Sequence, residues 1–171
     1  MKKLYLLLAI LLMVPVLSEG QVAKYKAVFT LNFIRYIGWP DEARDGDFVI
    51  GVVKESNIAR RIEKQSEGKK FGFQDVVIKE FDSVDEIDGN CQLIYVSSRI
   101  NFSRNAEAIR QKVGKNSLIV TENEDATDDG SMINFVIRDE TLKFEINKEN
   151  ASNNGLQISS RLENMSSAIV L

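Results

Sequence analysis

Between residues 48 and 121, short apolar runs alternate with stretches of helical spacing, and this alternation limits the fold more than any other feature. Phe48–Val53 is a continuous apolar run, as expected of a strand covered on both faces. A helix follows, capped by Ser56 or Asn57, with Ile58 and Ile62 facing inward and Gly68 stopping it near Glu67. Val76–Phe81 reads as a second strand, Asp82–Gly89 as a polar stretch with room for one helical turn, and Gln92–Val96 as a third strand. Phe102, Ala106, Ile109 and Val113 mark a helix ended by Gly114, and Ser117–Thr121 a fourth strand. Strands alternating with helices argue for parallel strands joined by right-handed crossovers.

The flanks complete the expected architecture. Upstream, Val22, Tyr25, Phe29, Phe33, Tyr36 and Ile37 form a helical stripe over 21–37, which Gly38-Trp39-Pro40 ends. Asp41–Asp47 reads as a polar loop. Downstream, Met132–Ile137 and Leu142–Ile146 should pair antiparallel across the polar connection Arg138–Thr141. Ile158, Leu162, Met165 and Ile169 then recur at helical spacing, with Ser160 and Glu163 as a capping box. The expectation is a three-layer α/β fold. It has a mostly parallel central sheet of about six strands, a C-terminal antiparallel hairpin extending it, and helices on both faces, the first and last helices among them.

The N-terminus points to export. Met1-Lys2-Lys3 is a charged segment, Leu4–Val16 an apolar one, and Ser18-Glu19-Gly20 offers small residues where a signal peptidase reads. Residues 1–20 are therefore expected to be a cleaved signal peptide and residues 21–171 a single domain. The apolar run is short for a membrane span and Pro15 interrupts its end. The chain carries 22 basic and 25 acidic residues; removal of Lys2, Lys3 and Glu19 takes the net charge from -3 to -4. That balance, with no basic stripe, argues against nucleic acid as a partner.

The chain has no histidine and one cysteine, Cys91. That excludes His-based triads, His metal ligands, a thiolate zinc cluster and an intramolecular disulfide. Cys91 opens a buried strand and reads as a small core hydrophobe. No phosphate-cradling glycine motif or nucleophile elbow occurs. Asp125, Thr127 and Asp129 mimic half of a calcium loop, but its twelfth position is Val136, in a strand, so the bidentate ligand is missing. Neither a metal nor a cofactor is expected. A hydrolase resting on two carboxylates ranks last, since nothing in the sequence brings two of them together.

Five residues stand out as candidate partner- or ligand-binding positions. Arg35 and Tyr36 lie in the apolar stripe of the first helix, and Trp39 stands at its end. Asn134 interrupts a strand, and Arg161 falls in the first turn of the last helix. Asn134 and Arg161, if buried, need partners: each other, the backbone or a ligand. Trp39 is a candidate docking residue or a core residue.

Taken in order, several segments resemble the YfiR/HmsC-like family of periplasmic regulators. They are the opening helix ending in Trp39-Pro40, Phe48-Val49-Ile50-Gly51-Val52, and Cys91-Gln92-Leu93-Ile94-Tyr95-Val96-Ser97. After them come Met132-Ile133-Asn134-Phe135, Lys143-Phe144-Glu145-Ile146-Asn147, and Gly155-Leu156-Gln157-Ile158-Ser159-Ser160-Arg161-Leu162. Together they span nearly all of residues 24–170. The resemblance implies a periplasmic α/β protein without catalysis, one that holds an inner-membrane diguanylate cyclase inactive by binding its periplasmic sensor region. Cyclic di-GMP synthesis and biofilm formation are thereby restrained. Dimers and redox-sensitive disulfides are known among relatives. The single Cys91 rules out a switch based on an intramolecular disulfide, and Gly130-Ser131 stands where relatives often have Gly-Gly. A homodimer and a small-molecule ligand stay open as partners. A periplasmic small-molecule-binding module is the alternative reading, with its pocket expected near Val53–Asn57 and Val96–Arg99, at the C-terminal ends of parallel strands.

Overall fold

The computed structural model describes residues 19–166 and 168–170. The signal peptide expected over residues 1–20 lies, apart from Glu19 and Gly20, outside the described residues. Helix α1 (Glu19–Tyr36) opens the described chain and runs into β1 (Ile37–Gly38). There follow β2 (Phe48–Val53), α2 (Ser56–Ser66), β3 (Lys70–Phe71), β4 (Gln74–Phe81), β5 (Leu93–Val96), α3 (Phe102–Val113) and β6 (Leu118–Thr121). The C-terminal part adds β7 (Ile133–Arg138), β8 (Thr141–Asn147), α4 (Lys148–Asn153), β9 (Gln157–Ile158), α5 (Ser160–Glu163) and β10 (Ala168–Val170).

A seven-strand mixed sheet runs β10-β8-β7-β6-β5-β2-β4, and the two-residue β3 adds to its β4 edge. β4, β2, β5, β6 and β7 are parallel neighbours, as strand–helix alternation demands. Among these five the spatial order is second, first, third, fourth, fifth, a doubly wound order that reverses direction between β2 and β5. β7 and β8 form the expected hairpin, with Arg138 opposite Thr141 and both turn residues, Asp139 and Glu140, at positive φ. Two consecutive left-handed residues give the turn a twist that matches its strands.

The sheet is wider than expected, and the hairpin does not end it. The long C-terminal helix is absent: Ile158 sits in β9, paired antiparallel with Ile37 of β1, and Leu162 in the one-turn α5. Residues 168–170 form β10, parallel to β8. Ser159, rather than Ser160, caps α5, its hydroxyl accepting from the Leu162 amide. Helix spacing over these few apolar positions was matched by chance, and strand pairing with distant segments prevailed.

Registers put Phe48, Ile50, Val52, Leu93, Tyr95, Leu118, Val120, Ile133, Phe135, Phe144 and Ile146 on one face of the sheet. Helix α1 covers this face. Phe29 and Phe33 meet Phe135 and Phe144 with ring centroids 5.0–6.3 Å apart, and α1 also packs on α2. Such tilted and edge-on pairs add about 0.5–1.5 kcal/mol each beyond their burial. Helix α3 lies against the opposite face, where Ala106 shares the lining of a cleft with Ile119 and Met132.

Candidate functional site

The end of α1 and the β3–β4 hairpin enclose an open groove of about 620 Å³. Beyond α1 and β1 the Trp39 indole folds back on the helix end: its Nε1 donates to the Ile34 carbonyl at 2.8 Å, and Pro40 keeps residue 39 itself out of helix. The ring stands edge-on to Phe48, 5.1 Å between centroids and 83° between planes. Arg44 donates to the Trp39 carbonyl at 3.0 Å. Phe71 packs on Phe48 at 5.7 Å, and the Arg35 guanidinium lies 5.8 Å from the Phe71 ring centre.

Gly72 and Phe73 make the two-residue turn between β3 and β4, and Gly72 adopts φ +61°, which glycine enters without the Cβ penalty. The turn holds the Phe73 side chain out in solvent, 99% exposed. Phe73 is by far the most exposed of the large apolar side chains, the next being Ile137 at 53%, and water-exposed aromatic area of this size is unfavourable. The groove wall carries Arg35, Arg44 and Lys70 and no carboxylate. Lys70 pairs with Asp75 at 3.0 Å, and Arg44 lies 3.6 Å from Asp41, both at exposed positions outside the lining.

Of the five residues singled out in the sequence, Arg35 and Trp39 meet in this groove. Tyr36 and Arg161 meet in a second cluster, beside the β1–β9 pair, where the Arg161 guanidinium stacks 5.0 Å from the Tyr36 ring centre. Asn134 joins neither cluster. It is fully buried in β7, its Oδ1 2.8 Å from Thr121 Oγ1, and its Nδ2 has no hydrogen-bond partner among the described residues. The sequence reading missed Phe71 and Phe73, although a glycine in a two-residue connection was the available signal.

The structure also builds a polar cluster that no motif announces. Tyr95 donates its hydroxyl to Glu122 Oε1 at 2.7 Å, while Lys26 of α1 forms an ion pair with Glu122 Oε2. The side chains of Lys26 and Glu122 are only 14% and 10% exposed. Burial, then the neighbouring Glu122 charge, holds the Tyr95 hydroxyl well above the ordinary tyrosine range. Lys26, Glu122 and Asn123 line a pocket of about 290 Å³ at the C-terminal ends of β6 and β7, and Asn123 Oδ1 is a buried acceptor without a partner among the described residues. Around Val53–Asn57 and Val96–Arg99, where a pocket was expected, the chain makes contacts with itself. Ser97 Oγ and Arg99 donate to the Lys54 carbonyl at 3.2 and 3.4 Å, and Arg99 lies 3.7 Å from Glu55. Among the described residues no group of three or more Cys, Asp or Glu side chains converges as a metal site.

Comparison with known proteins gives a fold likeness and a family. A search of curated proteins finds no match. Among solved structures, the crystal structure of a conserved domain protein from Vibrio cholerae O1 biovar El Tor is similar, with a TM-score of 0.58 and 9% identity. The likeness covers 86% of this chain and 60% of the Vibrio chain, so the fold is shared over little more than half of that protein. A family model described as YfiR/HmsC-like matches residues 23–167. That span takes in the Trp39 groove, the β7–β8 hairpin and the β1–β9 pair, and the chain belongs to the YfiR/HmsC-like family.

Proposed function

We propose that the mature chain is an exported, non-catalytic regulatory protein. It docks on the periplasmic region of an inner-membrane sensor, such as a diguanylate cyclase, and restrains it. The observation that carries this reading is the aromatic groove: Phe73 stands fully exposed beside Trp39, Phe48 and Phe71, an arrangement suited to a surface that a partner covers. Family membership supports it, because YfiR-like proteins are in general periplasmic and act as regulators rather than catalysts. No described helix is long and apolar enough to cross a membrane. Arg35, Trp39, Tyr36 and Arg161 are the proposed contact residues; Asn134 is assigned to the core. Cleavage before Gln21 leaves residues 21–171 as one domain in this reading.

The test is capture from detergent-solubilised membranes of the source organism, with the chain from Gln21 as bait. Recovery of a membrane sensor or cyclase is expected, and its loss with Trp39→Ala that circular dichroism shows to be folded. Capture of no membrane protein under conditions that hold weak partners overturns the reading.

The small pocket beside Lys26, Glu122 and Asn123 favours a second reading, a small-molecule-binding module, because it offers an unpartnered buried acceptor at the C-terminal ends of parallel strands. A metabolite that raises the melting temperature, and fails to do so with Asn123→Ala, would support it.

A further inference from the structure

We infer that the Trp39–Phe73 groove takes an acidic segment of a protein partner carrying an apolar anchor residue. This inference rests on the docking reading and adds the chemistry of the surface that binds. Three observations carry it. The groove lining contains three cations, Arg35, Arg44 and Lys70, and no carboxylate, in a chain whose net charge is negative; Asp75 and Asp41, which lie near Lys70 and Arg44, stand outside the lining at exposed positions. The same lining holds the half-buried Trp39 and Phe71 and the fully exposed Phe73, so an occupant must bring apolar area as well as negative charge. The cations are also positioned: Arg35 is held over the Phe71 ring and Arg44 is tied to the Trp39 carbonyl, both bordering the aromatic floor.

Planar guanidinium groups suit carboxylates, which they bind through paired N–H donors, and an aliphatic or aromatic side chain between two acids would enter against Trp39. Phe73 would close over that side chain from the hairpin tip. A strongly basic segment would set like charges against Arg35, Arg44 and Lys70, so the groove selects by repulsion as well as attraction.

Trp39 is the only tryptophan in the chain, so its emission reports on this groove alone. The mature protein would be titrated with the synthetic peptide Asp-Glu-Leu-Asp-Phe-Asp-Glu-Leu-Asp and with two counterparts, one with every acid replaced by lysine and one with Leu and Phe replaced by serine. Saturable change with the first peptide, absent with both counterparts up to about 1 mM, is expected. Raising sodium chloride from about 0.05 M to about 0.3 M should weaken it about tenfold, as screening between exposed charges requires. Arg35→Glu combined with Lys70→Glu should abolish it in a protein that circular dichroism shows to be folded, with a melting temperature lowered by the loss of the Lys70–Asp75 pair.

No response to the acidic peptide, an equal response to the lysine peptide, or binding unaffected by the double charge reversal overturns the inference. A response to anionic phosphatidylglycerol vesicles but not to the peptide also overturns it and assigns the surface to lipid. The two readings separate in the membrane capture. A sensor still recovered by the Arg35→Glu, Lys70→Glu protein leaves docking standing and ends the acidic-segment assignment. Failure of the unsubstituted protein to recover a sensor ends docking, whatever the peptides do.

Discussion

Phe73→Ser should separate stability from docking. The side chain is 99% exposed at the tip of the β3–β4 turn, so its removal takes no apolar area out of the folded core. Exposed substitutions of this kind fall within about 0.5 kcal/mol. At about 2–4 °C per kcal/mol for a chain of this length, the melting temperature should move by no more than about 2 °C. Docking is different. A partner that buries this ring gains about 1.5–3 kcal/mol from it, and each 1.4 kcal/mol is about tenfold in affinity, so Phe73→Ser should weaken capture about ten- to a hundredfold. Trp39→Ala gives the contrasting signature. It removes a ring packed edge-on to Phe48 and a 2.8 Å hydrogen bond to the Ile34 carbonyl. For a half-buried indole the loss is about 2–3 kcal/mol, or roughly 4–12 °C, together with loss of docking. The assays are thermal melts followed by far-UV circular dichroism and quantitative capture of the membrane partner at graded bait concentrations. Capture by Phe73→Ser within twofold of the unsubstituted protein would refute the argument. So would a fall in its melting temperature as large as that of Trp39→Ala.

Three further outcomes follow from packing and ionisation. At Gly51 an added Cβ would lie 2.6 Å from Ile94 Cδ1, 2.9 Å from Phe81 Cε2 and 3.0 Å from Cys91 Sγ. Gly51→Ala should therefore cost about 1–3 kcal/mol by overpacking, outweighing the gain of less than about 1 kcal/mol from a stiffer unfolded chain, and urea titration would show the midpoint fall. Burial, then the charge of Asp88, pushes the Cys91 thiol up to about 11, and burial and Glu122 raise Tyr95 further above its usual value. Both groups hold their protons in the folded state after the unfolded chain has released them. Stability should thus be fully present below about pH 9 and decline from about pH 9 upward. Cys91→Ala should lessen that decline between about pH 9 and 11 in melts recorded across the range. Tyr95→Phe removes the donor to Glu122 and leaves the Lys26 pair in place, so a loss of about 1.5–3 kcal/mol in urea titration is expected, and an unchanged midpoint would show the bond to be idle.

The parallel strands and α3 were legible because their signals are local. Phe48–Val53 is apolar without a break, and Phe102, Ala106, Ile109 and Val113 repeat at helical spacing before Gly114. The C-terminal helix failed because its stripe rested on four residues. Ile158 found a strand partner in Ile37, and β10 found one in β8, pairings that no local pattern encodes. Trp39 and Arg35 were visible as amphipathic residues at a helix end. Phe71 and Phe73 were not, because β3 is two residues long and leaves no alternation to read. The Tyr95–Glu122–Lys26 cluster joins residues 27 and 96 positions apart, so its members look like ordinary strand, loop and helix residues until the chain is folded.

The seating of α1 also bears on when the fold can be completed. Phe29 and Phe33 are covered by Phe135 and Phe144, and Ile37 pairs with Ile158, contacts between segments more than a hundred residues apart. A helix made early in the chain waits for cover made late, and closing so long a loop is slow because its entropy must be lost before any contact rewards it. Until the β7–β8 hairpin is present, Phe29 and Phe33 lack the Phe135 and Phe144 rings that cover them, and α1 has only its packing on α2 and the earlier strands. A chain cut short after β6 would carry those two rings without that cover, as a ready target for proteases and for aggregation, and the last third of the sequence is therefore what commits the first helix to its place.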